Sequence, residues 1–197
     1  MKYLILLFFV PFAHAGIYQN TFKDPESGFA IEKPADWKFV EAPKAHGLKL
    51  KNDKQMKAVN KTIVTFTKPM GKDFGGVRPT VGVEKLTLPK NSTPVKWLAQ
   101  ELKRQEKHDK YFVPASQALE TTIDQVDHAA RAAYVNSTVI QGVEVKVYHV
   151  LYVVPSGGKT FLINMNCNES LAQEYVGKFG EIAETISARK GGAQDSE

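Results

Sequence analysis

The chain has 197 residues, 43% of them hydrophobic, and a formal net charge of +5. This apolar content is that of a globular protein and excludes an intrinsically disordered chain. Its one cysteine, Cys167, excludes an internal disulfide bond, so a hydrophobic core must provide the stability.

Residues 1–15 predict a signal peptide that is cleaved between Ala15 and Gly16. Lys2 precedes an apolar run, and Ala13 and Ala15 provide small residues at the −3 and −1 positions of the cleavage site. The apolar run is too short to cross a bilayer, which takes about 20 residues. We therefore expect a periplasmic or secreted protein with no integral membrane segment after cleavage. A single domain is expected over residues 16–190, with a flexible tail over 191–197.

Three strands are predicted before the first helix. Phe29 and Ile31 alternate with polar neighbours until Pro34 ends the strand. A β-branched run follows at residues 62–67, and an alternating run at 80–88. The segment between these two runs holds three glycines and two prolines, which predicts a long loop.

The remaining pattern predicts two helices that flank four strands. The first helix has Thr93 or Ser92 as its N-cap and Pro94 in its first turn. Strands are predicted near residues 119–123, 129–135, 143–152 and 160–167, and the last two form a hairpin. The second helix has Ser170 as its N-cap, and its apolar face carries Leu171, Tyr175, Phe179, Ile182 and Ile186.

The order β-β-β-α-β-β-β-β-α, with hairpins between strands, predicts an α+β fold. We expect a mainly antiparallel sheet flanked by two main helices, an α-β-α sandwich. Cys167 shares one face of its strand with Phe161, Ile163 and Met165, while Asn164 lies on the other. This alternation predicts that Cys167 is a buried apolar residue.

The segment from Gly28 to Trp37 resembles the opening of the PsbP-like fold family, with a glycine, an aromatic and an aliphatic residue before Pro34 and Trp37. This family includes the PsbP protein of photosystem II, Ran-binding nuclear transport factors and DcrB-type bacterial envelope proteins. The order of the later elements extends the resemblance over most of residues 20–188. The resemblance implies a non-enzymatic scaffold or binding module.

The chain carries none of the strong catalytic motifs. There is no GxSxG, HExxH, Walker loop or CxxC, so we expect no catalytic residue and no cofactor. Two His–Asp neighbours, His108-Asp109 and Asp127-His128, are the weak candidates for a divalent-metal site. A structural role is favoured for both pairs, because a cation near a helix C-terminus is electrostatically favourable and because adjacent residues on a strand point to opposite faces.

The positive charge is concentrated in residues 44–61, where six lysines stand against one aspartate. This segment is a solvated edge or a contact surface for an envelope protein or an anionic surface. Nucleic acid is excluded as a partner because no aromatic residues interleave these lysines. The residues predicted to contact a partner lie in this segment and in the glycine-rich loop: Lys49, Lys51, Lys54, Lys57, Lys72 and Arg78.

Four Asn-x-Ser/Thr triplets begin at Asn60, Asn91, Asn136 and Asn168. They are glycosylation acceptors of a secreted protein or the residues of turns and helix caps.

Taken together, the sequence favours an exported, non-enzymatic binding or adaptor protein of the cell envelope. A divalent-metal-binding module is the first alternative. A small hydrolase, or an inhibitor of one, is the second.

Overall fold

The computed structural model describes residues 15–40, 61–69 and 74–190. Six strands precede the first helix in these ranges, three more than predicted, because three short strands of three or four residues escape the periodicity. In chain order, the strands are β1 (Gly16–Tyr18), β2 (Thr21–Asp24), β3 (Phe29–Glu32), β4 (Lys38–Val40), β5 (Lys61–Thr67) and β6 (Thr80–Leu86).

The second half follows the predicted order, with longer strands than expected. Helix α1 is Pro94–His108, and it precedes four strands, a 3₁₀ turn at Glu169–Leu171 and helix α2 (Ala172–Glu184). The four strands are β7 (Val113–Ile123), β8 (Val126–Ile140), β9 (Val143–Ser156) and β10 (Lys159–Asn168).

Seven strands form one antiparallel sheet in the order β4-β5-β6-β10-β9-β8-β7, and β1, β2 and β3 form a small second sheet. The predicted hairpin is confirmed, since β9 and β10 pair from Ser156 and Lys159 to Val147 and Asn168. The α+β fold with a mainly antiparallel sheet is confirmed as well. The small second sheet was not predicted.

Alternation along the strands gives the large sheet two apolar faces, each with its own core. One face packs against α2 and the small sheet and buries Ile163, Met165 and Cys167 of β10. The other face packs against α1 through Leu151 and Val153 of β9. We refer to these as the α2 face and the α1 face.

Helix α1 begins as the sequence predicts. The Thr93 side-chain oxygen accepts a hydrogen bond from the Lys96 amide at 3.4 Å, and Pro94 occupies the first turn. Leu98 and Leu102 are the apolar positions that reach the α1-face core.

The N-terminus of helix α2 differs from the prediction. Ser170 does not cap it, because the Asn168 side chain accepts the Ser170 amide at 2.9 Å and caps the 3₁₀ turn instead. The α-helix then starts at Ala172 with no side-chain cap. The predicted apolar face is buried at Tyr175, Phe179 and Ile182.

The opening motif lies at the centre of the α2-face core. The Phe29 ring stacks on Phe161 at 4.1 Å between centroids, and Trp37 packs edge-on against Phe66 at 6.0 Å. Ala30 exchanges two backbone hydrogen bonds with Ser187, which follows α2. The motif therefore joins the start of the fold to its last helix.

The small sheet is also attached to the β9–β10 hairpin by polar contacts. The Ser156 hydroxyl donates to the Ser27 carbonyl oxygen at 2.8 Å. Asp24 is 1% exposed and lies 3.3 Å from the Lys159 ammonium and 3.5 Å from that of Lys85. Burial opposes ionisation of Asp24, but the two lysines outweigh it and lower the pKa of this carboxyl.

Cys167 is fully buried on the α2 face, as predicted. Burial raises the pKa of its thiol to about 12, which leaves it protonated and unreactive. None of the helices within the described ranges has both the length and the apolar character to span a membrane.

Candidate functional site

The α1 face of the large sheet is only partly covered by its helix. Beyond α1 the sheet forms the floor of an open cleft of about 480 Å³, and residues 76–78 form one of its walls. The polar lining residues are Arg78, Thr80, Asn136, Thr138, His149 and Asn166. The apolar and glycine lining residues are Gly76, Val77, Ile140 and Val147.

The strand alternation explains why this cleft is polar. Val147, His149, Leu151 and Val153 point to the same face of β9, at every second position. Leu151 and Val153 pack under α1, whereas His149 lies past the helix and faces the cleft. The same change from apolar to polar side chains occurs along β10, from Leu162 to Asn166.

His149 links three neighbouring strands through its imidazole ring. Its Nε2 atom lies 3.0 Å from Oδ1 of Asn136 on β8, and its Nδ1 atom lies 3.1 Å from Oδ1 of Asn164 on β10. Both ring nitrogens are therefore occupied. We call this arrangement of Asn136, His149 and Asn164 the asparagine–histidine ladder.

Burial lowers the pKa of His149, although its hydrogen bond with Asn164 opposes the shift. A neutral imidazole has one donor and one acceptor nitrogen, so it donates to the oxygen of only one asparagine, and the other asparagine must present its amide nitrogen in order to donate to the remaining ring nitrogen. In either arrangement, both amides keep hydrogen-bonding capacity that His149 does not use. The ladder fixes Asn136 and His149 in the lining of the cleft, and Asn164 supports His149 from the neighbouring strand.

An aromatic ring stacks on one face of the His149 imidazole. The rings of Tyr134 and His149 are nearly parallel, with centroids 4.7 Å apart, and Phe112 packs on Tyr134 at 5.2 Å. Burial raises the pKa of Tyr134 to about 12, so this ring stays neutral. The stack joins the ladder to the core beneath α1.

Residues 74–76 of the loop that forms the cleft wall are held in place by a buried side chain and a hydrogen bond. Phe74 is buried, and the Asn168 side-chain amide donates to the Gly75 carbonyl oxygen at 2.7 Å. Gly76 has a φ of +84°, and a Cβ there would lie 3.7 Å from Val145. The wall therefore approaches the β8–β9 hairpin closely, in a backbone conformation that suits glycine.

The floor of the cleft near β6 is open. A Cβ on Gly82 would meet no atom within 4 Å. The Thr80 hydroxyl is engaged with the Arg78 carbonyl oxygen at 2.9 Å and with Thr67 at 3.1 Å. Arg78 is exposed at the cleft and forms no ion pair with any residue in the described ranges.

Of the residues predicted to contact a partner, Arg78 alone lies within the described ranges, where it lines the cleft. The others fall outside those ranges: Lys49, Lys51, Lys54, Lys57 and Lys72. Ala15 and Gly16 are exposed and half-buried, respectively, at the start of β1.

The four candidates for a metal site have other partners or remain at the surface. Asp109 accepts hydrogen bonds from the backbone amides of Tyr111 at 2.9 Å and Ser137 at 3.1 Å. His108, at the end of α1, is exposed.

On β8, His128 pairs with Glu120 at 2.5 Å, and Asp127 lies 3.6 Å from Lys190. Across residues 15–40, 61–69 and 74–190, no three His, Cys, Asp or Glu side chains gather as a metal site would require.

The sequence pattern predicts Arg78 as a contact residue, which stays a prediction, and it does not indicate the ladder. Asn136 begins an Asn-Ser-Thr triplet, and His149 is a polar residue within an apolar strand, so neither local pattern by itself indicates a binding site. The available signal was the recurrence of amide and imidazole side chains on one face of adjacent apolar strands. Their convergence depends on the strand register, which pairs His149 with Asn166 and Tyr134.

Two solved structures resemble the chain over most of its length. LpqN of Mycobacterium tuberculosis, a protein involved in cell envelope biogenesis, is 19% identical with a TM-score of 0.51, covering 84% of this chain and 86% of LpqN. Cyanobacterial PsbP from Synechocystis is 12% identical with a TM-score of 0.53, covering 90% of this chain and 99% of that protein. No protein-family model and no curated protein matches the sequence. The chain has a PsbP-like fold, as its opening motif predicts.

Proposed function

We propose that the protein is an exported, non-enzymatic binding protein of the cell envelope and that the cleft on the α1 face is its binding site. The observation that carries this proposal is the asparagine–histidine ladder. It fixes Asn136 and His149, from two neighbouring strands, in the lining of an open cleft, and the Asn136 amide keeps hydrogen-bonding capacity that His149 does not use. Concave sites with a few fixed polar groups are where proteins bind small molecules.

The cleft residues are suited to binding rather than to catalysis. His149, the one imidazole in the lining, has both nitrogens engaged by asparagines, so it has no free nitrogen to act as a base. The Cys167 thiol lies on the opposite face of the sheet. The described residues that line the cleft include no carboxylate.

Two observations support export and an envelope role. The first 15 residues have the pattern of a cleaved signal peptide. A protein of the same fold, LpqN, is involved in cell envelope biogenesis. Fold alone does not determine function, so the cleft provides the test.

The test fills the cleft and measures binding of envelope components. Thr138 is exposed in the cleft lining, and Thr138→Trp would occupy the space above the ladder. We expect size-fractionated small-molecule extracts of the envelope to raise the Tm of the wild-type protein, since a ligand that binds the folded state stabilises it. Thr138→Trp should abolish this rise.

The matched control is Val139→Trp. Val139 is the next residue on β8, 70% exposed, and points to the other face of the sheet. This variant should respond to the extract as the wild type does. If no fraction stabilised the wild type, or if Thr138→Trp responded as fully as the control, the cleft would not be the binding site.

A further inference from the structure

We propose that the ligand of the cleft is a small polyhydroxylated compound with one anionic group, of the sugar-acid class. This inference rests on the proposed function of the cleft as a binding site. It assigns the anionic group to Arg78 and the hydroxyl groups to Asn136, Thr138 and Asn166.

The neutral polar residues of the cleft match hydroxyl groups. A carboxamide donates through its nitrogen and accepts through its oxygen, and a threonine hydroxyl does both. A sugar hydroxyl also donates and accepts, so adjacent hydroxyls can bind one amide in two places. Asn136 is oriented by its contact with His149 at 3.0 Å, which reduces the cost of ordering it on binding.

The positive charge of Arg78 in the cleft lining indicates that the ligand carries an anionic group. Among the described residues that line the cleft, Arg78 is the one that carries a charge, and no acidic residue accompanies it. A guanidinium with no ion pair in the described ranges can donate two parallel hydrogen bonds to a planar carboxylate. A cationic ligand would meet this charge without a partner of opposite sign.

The remaining lining agrees with the carbon skeleton of a sugar. Val147, Ile140 and Val77 provide apolar contact for the C–H groups of a ring. The volume of about 480 Å³ lies within the range of about 300–1,000 Å³ that is usual for small-molecule sites. It suits a single sugar-acid unit with room for a neighbouring group.

The experiment is a calorimetric titration of the purified protein with D-glucuronate, D-glucose and acetate. Glucuronate carries hydroxyls and a carboxylate, glucose carries only hydroxyls, and acetate carries only a carboxylate. We expect glucuronate to bind about tenfold more tightly than glucose, since a charge-assisted hydrogen bond exceeds a neutral one by about that factor. Acetate should bind more weakly than both.

Two cleft variants separate the roles of the groups. Arg78→Gln should remove the preference for glucuronate over glucose and leave glucose binding unchanged. Asn166→Asp keeps the size of the side chain but places a carboxylate in the cleft, so it should weaken glucuronate binding more than glucose binding. Lys90→Gln makes the same charge change as Arg78→Gln at an exposed turn beyond the opposite end of β6, and should have no effect.

The outcomes decide the ligand class. Equal affinity for glucose and glucuronate, or a preference that survives Arg78→Gln, would overturn the role of the anionic group. Acetate binding as tightly as glucuronate would overturn the role of the hydroxyls. Failure of all three probes, with an envelope fraction still stabilising the wild type but not Thr138→Trp, would reject the sugar-acid class and leave the proposed function intact.

A final arm distinguishes a free sugar acid from a unit of an envelope polysaccharide. An oligogalacturonate presents the same chemistry within a chain. Binding of the oligomer through Arg78 would identify polysaccharide as an accessible source. Binding of glucuronate alone would restrict the ligand to the free compound.

Discussion

At the scale of single residues, His149 is the side chain on which the account depends. It is an imidazole held between two asparagines and against the face of Tyr134. Its position across three strands makes it part of the structure as well as of the cleft. This double role leads to a prediction about pH.

We predict that the free energy of unfolding decreases as the pH falls below about 6.5, the usual pKa of an unfolded histidine. Burial lowers the pKa of His149 in the folded protein. The unfolded chain therefore binds a proton first, and the stability present above pH 6.5 is lost until the pH falls through the folded pKa. The slope for one such group is at most about 1.4 kcal/mol per pH unit.

Urea unfolding of the wild type and of His149→Gln at several pH values measures this effect. Glutamine keeps one donor and one acceptor but does not titrate, so the variant should lose the slope. His108→Gln, which removes an exposed histidine at the end of α1, should retain it. An unchanged slope in His149→Gln would show that other groups cause the pH dependence.

The sequence predicts some of these residues better than others. Cys167 was predicted as buried because its position depends on local alternation. The role of His149 could not be predicted, because its partners are 13 and 15 residues away and are selected by the strand register. Arg78 was reached through its glycine-rich loop, which is a local signal.

At the scale of elements, the β9–β10 hairpin depends on a close backbone contact at its turn. Gly157 has a φ of +52°, and a Cβ there would lie 2.3 Å from the Ser27 carbonyl oxygen. The Gly157 amide also donates to the Arg189 carbonyl oxygen at 3.0 Å. The turn therefore joins the hairpin to the small sheet and to the segment after α2.

We predict that Gly157→Ala destabilises the protein more than Gly158→Ala. Gly158 has a φ of +79°, but a Cβ there would meet nothing within 4 Å. Gly158→Ala should therefore cost only the left-handed backbone strain, about 1–2 kcal/mol. Gly157→Ala adds a clash with backbone atoms, which cannot move as a side chain can.

Chemical unfolding of both variants at neutral pH measures the difference. Equal losses of stability in the two variants would contradict the prediction, because they would mean that the turn can move away from the Ser27 backbone at no cost in free energy. The hairpin predicted from the sequence requires a turn between its two strands, but the need for glycine at Gly157 arises from Ser27, 130 positions away. The local sequence pattern around Gly157 does not indicate its contact with the Ser27 backbone.

The element boundaries show the same division between local and distant causes. Thr93 was predicted as a cap of α1 and is confirmed, because capping involves neighbours within one turn. The prediction of Ser170 as the N-cap of α2 was wrong, because Asn168 caps a 3₁₀ turn that precedes the helix. The strands β1, β2 and β4 were missed since each has only three or four residues.

At the scale of the whole molecule, the two faces of the large sheet have different roles. The α2 face is closed by the helix, the small sheet and the opening motif. On the α1 face, Leu98 and Leu102 of α1 pack on the sheet, and the cleft lies beyond the helix. Order of elements and a fold-family motif were sufficient to predict the α+β architecture, whereas the open half of one face depends on how far α1 extends over the strands.

For the molecule as a whole, we propose that ligands bind at the cleft and not at the lysine-rich segment of residues 44–61. The most direct measurement is an NMR titration of the isotope-labelled protein with a stabilising envelope fraction. We predict that the largest shifts occur in the His149 ring and in the Asn136 and Asn166 side-chain amides. Shifts confined to the backbone amides of residues 44–61, with the His149 ring signals unchanged, would contradict the account.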